Sequence, residues 1–195
     1  MNFYSIIYKP FQVLSQFSFD GDKKTLKDFF DVPKDVYPVG RLDYDSEGLL
    51  ILTNDKKLNH LLLNPSFNHT REYWVQVDGK ATDEQLKKIA SGCIISVDGK
   101  SYKTKRCNAN RMIEPPIVPE RNPPIRFRKN IPTSWIKMEL SEGKNRQVRK
   151  MTASVGLPTL RLIRFRIEKL TIQSMDPGDM TVFTQEQIYP LLFNV

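Results

Sequence analysis

The segment Leu49–Thr53, reading LLILT, constrains the fold more than any other. It is an unbroken apolar run closed by a threonine, with turn residues Glu47 and Gly48 before it and Asn54 and Asp55 after it. At this length it is a buried strand and not a membrane span, which needs about 20 apolar residues. A strand of this kind lies inside a sheet, so the flanking segments must supply the strands and helices that cover it.

Those segments can be read along the chain. Phe3–Tyr8 alternates weakly and runs into Pro10, a first strand entering a turn, and Thr25–Phe30 is a short helical piece. Asn54 is placed to cap a helix bearing Leu58, Leu61 and Leu62, which stops at Asn64 and Pro65. Aromatic and β-branched residues make Arg71–Gly79 a strand with Tyr73, Val75 and Val77 on one face. Thr82 and Gln85 form a capping-box pair that opens a helix ended by Gly92. Pro115–Pro132 holds six of the 13 prolines and reads as an irregular loop. Ile131–Leu140 is a strand, and Asn145 then caps a helix that ends at Gly156 and Pro158. On that helix Val148, Met151 and Val155 share one side, Arg146, Lys150 and Ala153 the other, with Arg149 at the border. Leu157–Ile172 alternates apolar and basic residues, which predicts leucines inside and arginines on a wet face. Thr184 and Gln187 open a last helix. Strands and helices mixed in this way predict an α+β fold, one domain over residues 1–195 whose halves divide near residue 80. No internal repeat is present.

Composition excludes several classes. With 39% hydrophobic and 27% charged residues the chain is globular in type. Its N-terminus lacks the basic and apolar regions of a secretory signal. Cys93 and Cys107 make no disulfide framework, and with two histidines there is no zinc spacing, so a reducing, cytoplasmic setting is expected. There is no GxxxxGK[ST] phosphate loop, no GxGxxG turn and no HExxH, and neither His60 nor His69 has a partner at ligand spacing.

The net charge of +8 is unevenly placed. Between Arg121 and Leu170 stand 13 basic and 3 acidic residues, an excess of +10, while the rest of the chain nets −2. The block is interleaved with Phe127, Trp135 and Phe165, so it belongs to a folded surface and not to a tail. Arg outnumbers Lys there, and the planar guanidinium fork suits phosphate oxygens and base stacking. A polyanion is the partner such a surface fits, although a Lys/Arg face kept for solubility has the same composition.

Carboxylates gather on the loop GRLDYDSEG, where Asp43, Asp45 and Glu47 fall within five residues. A calcium loop fits poorly, because the position that requires a bidentate glutamate is Asn54. A glycosidase pair also fits poorly, since alternate residues of one short loop do not easily flank a sugar. Asx-turns to nearby N–H groups would account for at least one of the aspartates without any chemistry.

GRLDYDSEGLLILTND, REYWVQVDG, EGKNRQVRKM and VGLPTLRLIR resemble, in order and spacing, the successive motifs of the RsuA-like pseudouridine synthases. The resemblance spans nearly the whole chain and is strongest to a branch acting on large-subunit ribosomal RNA. It implies a mixed, mostly antiparallel bifurcated sheet with flanking helices and an active cleft between two halves. It further implies isomerisation of uridine to pseudouridine in 23S rRNA by a bacterial enzyme without metal or organic cofactor. Many relatives carry an S4 RNA-binding domain before this core, and none is expected here because the chain starts almost at the core strand.

Residue by residue, the resemblance makes Asp43 the carboxylate that attacks the ribose or takes its proton as the N1–C1′ bond breaks. Arg149 would be its basic partner, and Tyr73 would stack on the target base, although core packing beside Val75 and Val77 explains that tyrosine as well. Arg41 would fill the gap left in the stack by the flipped nucleotide. Asp45 and Glu47 would shape the loop, and Tyr44 stands where close relatives more often carry Arg. Arg121, Arg126, Arg128, Lys129, Arg146, Lys150, Arg161 and Arg164 are phosphate-contact candidates by type, and Lys144 and Asn145 candidate RNA contacts. The expected partner is precursor or protein-poor rRNA, bound by a monomer away from any membrane. Two competing readings are a noncatalytic rRNA-binding assembly factor and an RNA glycosidase that releases free uracil.

Overall fold

The computed structural model describes residues 2–125 and 132–193. In chain order the elements are β1 (Tyr4–Lys9), β2 (Tyr37–Pro38), β3 (Glu47–Thr53), α1 (Lys56–Leu63), β4 (Arg71–Asp78) and α2 (Asp83–Ser91). Three short strands follow, β5 (Ile94–Val97), β6 (Lys100–Lys103) and β7 (Asn108–Arg111). The chain continues through β8 (Thr133–Leu140), α3 (Gln147–Ser154), β9 (Thr159–Ile167), β10 (Leu170–Thr171), β11 (Met180–Phe183) and α4 (Gln185–Leu192). Among the described residues no helix is long and apolar enough to cross a membrane. Contacts divide the chain into a first unit of residues 1–69 with 163–195 and a second of residues 70–162.

In the first unit β3 is buried along all seven residues, as its apolar run requires. It pairs antiparallel with β1, from Tyr4 opposite Thr53 to Lys9 opposite Gly48, and with β2. Its first residues pair parallel with β9, Glu47 opposite Ile163 and Gly48 opposite Arg164, which makes this sheet mixed. β11 adds antiparallel to β1. Ile7, Val13, Leu26, Phe30, Val36, Leu50 and Leu52 form one core cluster. The helical piece near Thr25 is a single 3-10 turn, Leu26–Asp28, closed by a Thr25–Asp28 capping box.

Helix α1 begins one residue later than Asn54 suggests. Asp55 is the N-cap, its Oδ1 accepting the N–H groups of Lys57 and Leu58, while its Oδ2 accepts the hydroxyls of Tyr4 and Tyr189. Asn54 instead accepts the Phe3 N–H and donates to Asp35. A cap chosen by two distant tyrosines cannot be told from its neighbour by spacing alone.

In the second unit β4 pairs antiparallel with β8 over eight residues, and β8 with β7. A core of Val75, Val77, Leu86, Ile89, Ile136, Met138, Val148 and Met151 joins these strands to α2 and α3. The Thr82–Gln85 and Thr184–Gln187 capping boxes are both formed. β5 and β6 make a separate hairpin, turned by Asp98 and Gly99 with φ of 50° and 76°, the positive values that a tight two-residue hairpin turn requires.

Two local expectations give way. Asn145 does not cap α3: the N-cap is Arg146 in a left-handed conformation, and the Gln147 side chain closes the turn by accepting the Lys144 N–H at 2.9 Å. Two of the three arginines of β9 do not lie on a wet face, for Arg161 and Arg164 are each only 5% exposed, while Arg166 is half-buried. Arg164 donates Nε to the Leu49 carbonyl at 2.7 Å, so a buried backbone oxygen takes up the polar head while the stem packs like an aliphatic chain.

Candidate active site

The carboxylate loop lies between β2 and β3 in the first unit. Asp43 and Asp45 are half-buried and Glu47 is buried. The Ser46 N–H donates to the Asp43 carbonyl at 3.0 Å, which closes a turn around the loop's tip. The residues on either side of Asp43 are tied down from one segment. Ser15 Oγ donates to the Leu42 carbonyl at 2.8 Å and accepts the Leu42 N–H at 3.0 Å, and the Gln12 N–H donates to the Tyr44 carbonyl at 2.9 Å. A hydroxyl that both donates and accepts fixes one peptide from both sides. Asp43 is thereby carried between two anchored neighbours, and Arg41 is exposed beside them.

The segment that provides those anchors is held by Lys9. This last residue of β1 is fully buried, and its Nζ donates to the carbonyls of Pro10 at 2.9 Å and Val13 at 2.7 Å. Burial pulls the Lys9 pKa down to about 7, against the opposing pull of Glu47, Asp43 and Asp45. Period two puts Lys9 on the same face of β1 as Ser5 and Ile7, so the signal for a buried lysine was present in the sequence. Lys9, Gln12 and Ser15 are the site-building residues that motif reading passes over. Beneath the loop Gly48, at φ 108°, lies so close to the backbone of Arg164 that a Cβ would overlap its carbonyl oxygen.

Tyr73 and Arg149 belong to the second unit. Tyr73 is half-buried on β4, opposite Met138 of β8, and packs on the core that includes Val75 and Val77. Arg149 is half-buried in the first turn of α3, between the buried Val148 and Met151 side and the exposed Arg146 and Ala153 side. The border position expected for it is the one observed.

The basic candidates fall into distinct settings. Lys144 and Arg146 are exposed on the turn before α3, and Lys150 is half-buried. Arg121 directs its guanidinium at the carbonyls of Pro123, Pro124 and Leu160, at 2.9, 3.1 and 3.3 Å, so it braces the proline-rich loop. Arg161 and Arg164 are inside. Arg126, Arg128 and Lys129 lie outside the described residues. Among the described residues no cluster of His, Cys, Asp and Glu could hold a metal ion.

The chain is similar to known proteins over most of its length. Residues 3–154 match the profile of the RNA pseudouridylate synthases. The chain is 48% identical over 174 residues to the ribosomal large subunit pseudouridine synthase E of Vibrio parahaemolyticus, covering 89% of this chain and 70% of that protein. It is 43% identical over 187 residues to the Xanthomonas campestris protein of the same name, covering 95% and 97%. A solved pseudouridylate synthase superposes with a TM-score of 0.78 over 98% of this chain and 74% of its own, at 24% identity, a likeness of fold. The chain belongs to the RNA pseudouridylate synthase family. It has the α+β fold of that family and is an isomerase that forms pseudouridine.

Proposed function

We propose that this protein converts a defined uridine of 23S rRNA to pseudouridine, acting as a cytoplasmic monomer on precursor or protein-poor RNA. The observation that carries the reading is Asp43, set between Leu42 and Tyr44, whose backbones are each hydrogen-bonded to the Gln12–Ser15 segment. Similarity to large-subunit synthases from several bacteria supports the choice of RNA. A uridine deep in a finished subunit would be out of reach, which favours the precursor.

In this reading the target nucleotide leaves its stack, because neither C1′ nor C5 can be worked on inside a helix. The Asp43 carboxylate attacks C1′, forming an ester bond, or takes the C2′ proton, and the N1–C1′ bond breaks with its electron pair leaving on uracil. The uracil turns and its C5 bonds to C1′, which breaks the Asp43–C1′ ester in the first route or is accompanied by return of the proton from Asp43 to C2′ in the second. C5 then loses its proton and N1 takes one up from solvent, so atoms balance. Tyr73, preset by core packing on one side, offers its ring to the base, and Arg149 supplies a positive charge to the reaction. Arg41 occupies the vacated place in the stack. Lys144, Arg146 and Lys150 contact phosphates.

Tritium release from large-subunit RNA labelled at uridine C5 tests this. Wild type should release about one equivalent per transcript, whereas Asp43→Asn should be slower by about 10³-fold or more while still binding RNA. Binding without release by wild type would favour an assembly factor. Release of free uracil, leaving an abasic site, would favour a glycosidase.

A further inference from the structure

The turn that leads into α3 is organised around one carboxylate. Glu142 Oε1 accepts the Lys105 N–H at 2.8 Å and the Gln147 Nε2 at 2.6 Å, while its Oε2 accepts the Tyr102 hydroxyl at 2.6 Å. Gln147 in turn accepts the Lys144 N–H, and the Lys144 ammonium lies over the Tyr102 ring, 5.1 Å from its centroid. Glu142 therefore joins the β6 strand of the outlying hairpin to the first residue of α3. Tyr102 serves both ends of the turn, its hydroxyl holding Glu142 and its ring holding Lys144. The carboxylate as acceptor raises the Tyr102 pKa above the ordinary phenol range, so the hydroxyl remains a donor at neutral pH. Arg146 adopts φ 53° inside this turn, and the helix starting there carries Arg149 in its first turn. An uncommon backbone conformation for a non-glycine residue persists when its surroundings hold it.

We infer that Tyr102 and Glu142 form a clamp that positions two functional side chains, the hydroxyl contact setting Arg149 through the start of α3 and the ring setting Lys144 for RNA. This rests on the reading of Arg149 and Lys144 given above. Neither clamp residue touches substrate; both act through other residues. The hairpin β5–β6 thereby has a role, as the strut from which Tyr102 reaches the turn.

The two parts of Tyr102 can be separated by substitution. Tyr102→Phe removes the hydroxyl and keeps the ring, so kcat should fall about tenfold with KM within about twofold, the loss of one charge-assisted hydrogen bond. Tyr102→Leu removes both, so KM for RNA should rise several-fold in addition. In a double-mutant cycle, Tyr102→Phe should add nothing to Glu142→Gln. Thermal unfolding of Tyr102→Phe provides the fold check, and because that change keeps the ring it remains informative if Glu142→Gln does not fold. A folded Tyr102→Phe with wild-type kcat and KM would overturn the clamp, as would activity losses in both Tyr102 variants that follow the folded fraction alone. Wild-type turnover is measured first on the same RNA. Absence of turnover would defeat the functional reading itself, whereas turnover with an indifferent Tyr102 would defeat only the clamp.

Discussion

The first unit carries 11 basic and 13 acidic residues, and the second carries 19 and nine, so one nets −2 and the other +10. The contrast extends to how the charges are used. In the first unit the notable cations are inside, Lys9 on two carbonyls and Arg164 on a third, and they shape the loop that presents Asp43. In the second, Lys144 and Arg146 are outside, on a turn braced by Glu142. The first unit puts two of its cations to local geometry inside the fold, and the second exposes Lys144 and Arg146 on its surface. In the proposed function, capture of RNA depends on exposed positive charge of this kind.

The largest effect separating the units should come from their glycines. Gly48→Ala would force a Cβ into the Arg164 backbone at φ 108°, and should cost about 3 kcal/mol or more in urea unfolding. Gly99→Ala in the second unit's hairpin turn meets open space at φ 76°, and should cost only about 1 kcal/mol. Equal losses would mean that the tight approach of Gly48 to Arg164 is not a determinant of stability.

A middle-sized effect concerns RNA. Lys144→Ala or Arg146→Ala should weaken binding several-fold and reduce the slope of log affinity against log salt by about one each. The exposed Lys56→Ala and Lys57→Ala in the first unit should leave that slope unchanged. Titrations at several salt concentrations decide it, and a slope that responds equally in both units would erase the contrast.

The smallest effect is a pH dependence. Folded Lys9 has a pKa of about 7 against 10.5 for an ordinary lysine, so between these values the unfolded chain holds a proton that the folded chain lacks. Stability therefore rises with pH across that window; the contribution is lost as pH falls from about 10.5 towards 7, and below 7, where Lys9 is protonated in both states, it no longer changes. Lys9→Met should flatten the rise seen in urea unfolding between about pH 7 and 10. An unchanged slope in the variant would assign it to other groups.

Much of the local structure was legible because it is decided locally. The strands around Leu49–Thr53, Tyr73 and Trp135 follow from composition and alternation, and the Thr82–Gln85 and Thr184–Gln187 boxes from groups three residues apart. The border position of Arg149 followed from helical period. Asn54 and Asn145 misled because either of two adjacent residues could begin the helix, and other groups made the choice: the distant Tyr4 and Tyr189 for Asp55, and the nearby Glu142 acting through Gln147 for the turn before α3. On β9 an alternating pattern looked half-wet, yet the strand pairs through its middle with β3, and Arg164 found a carbonyl to satisfy it inside.

By itself the sequence determined the elements, the uneven charge, the loop that carries Asp43 and the resemblance that made this aspartate a candidate. Hydrophobic period, capping and motif spacing are interactions among near neighbours, so they are written in the order of residues. Only the tertiary structure decided that Lys9 lies buried beside that loop, that Ser15 and Gln12 pin its flanks, that Arg161 and Arg164 turn inward, and that the chain returns to its first unit after residue 162. Each of these depends on a partner many residues away, and which partner meets which side chain is settled by packing and by the need to satisfy every buried polar group.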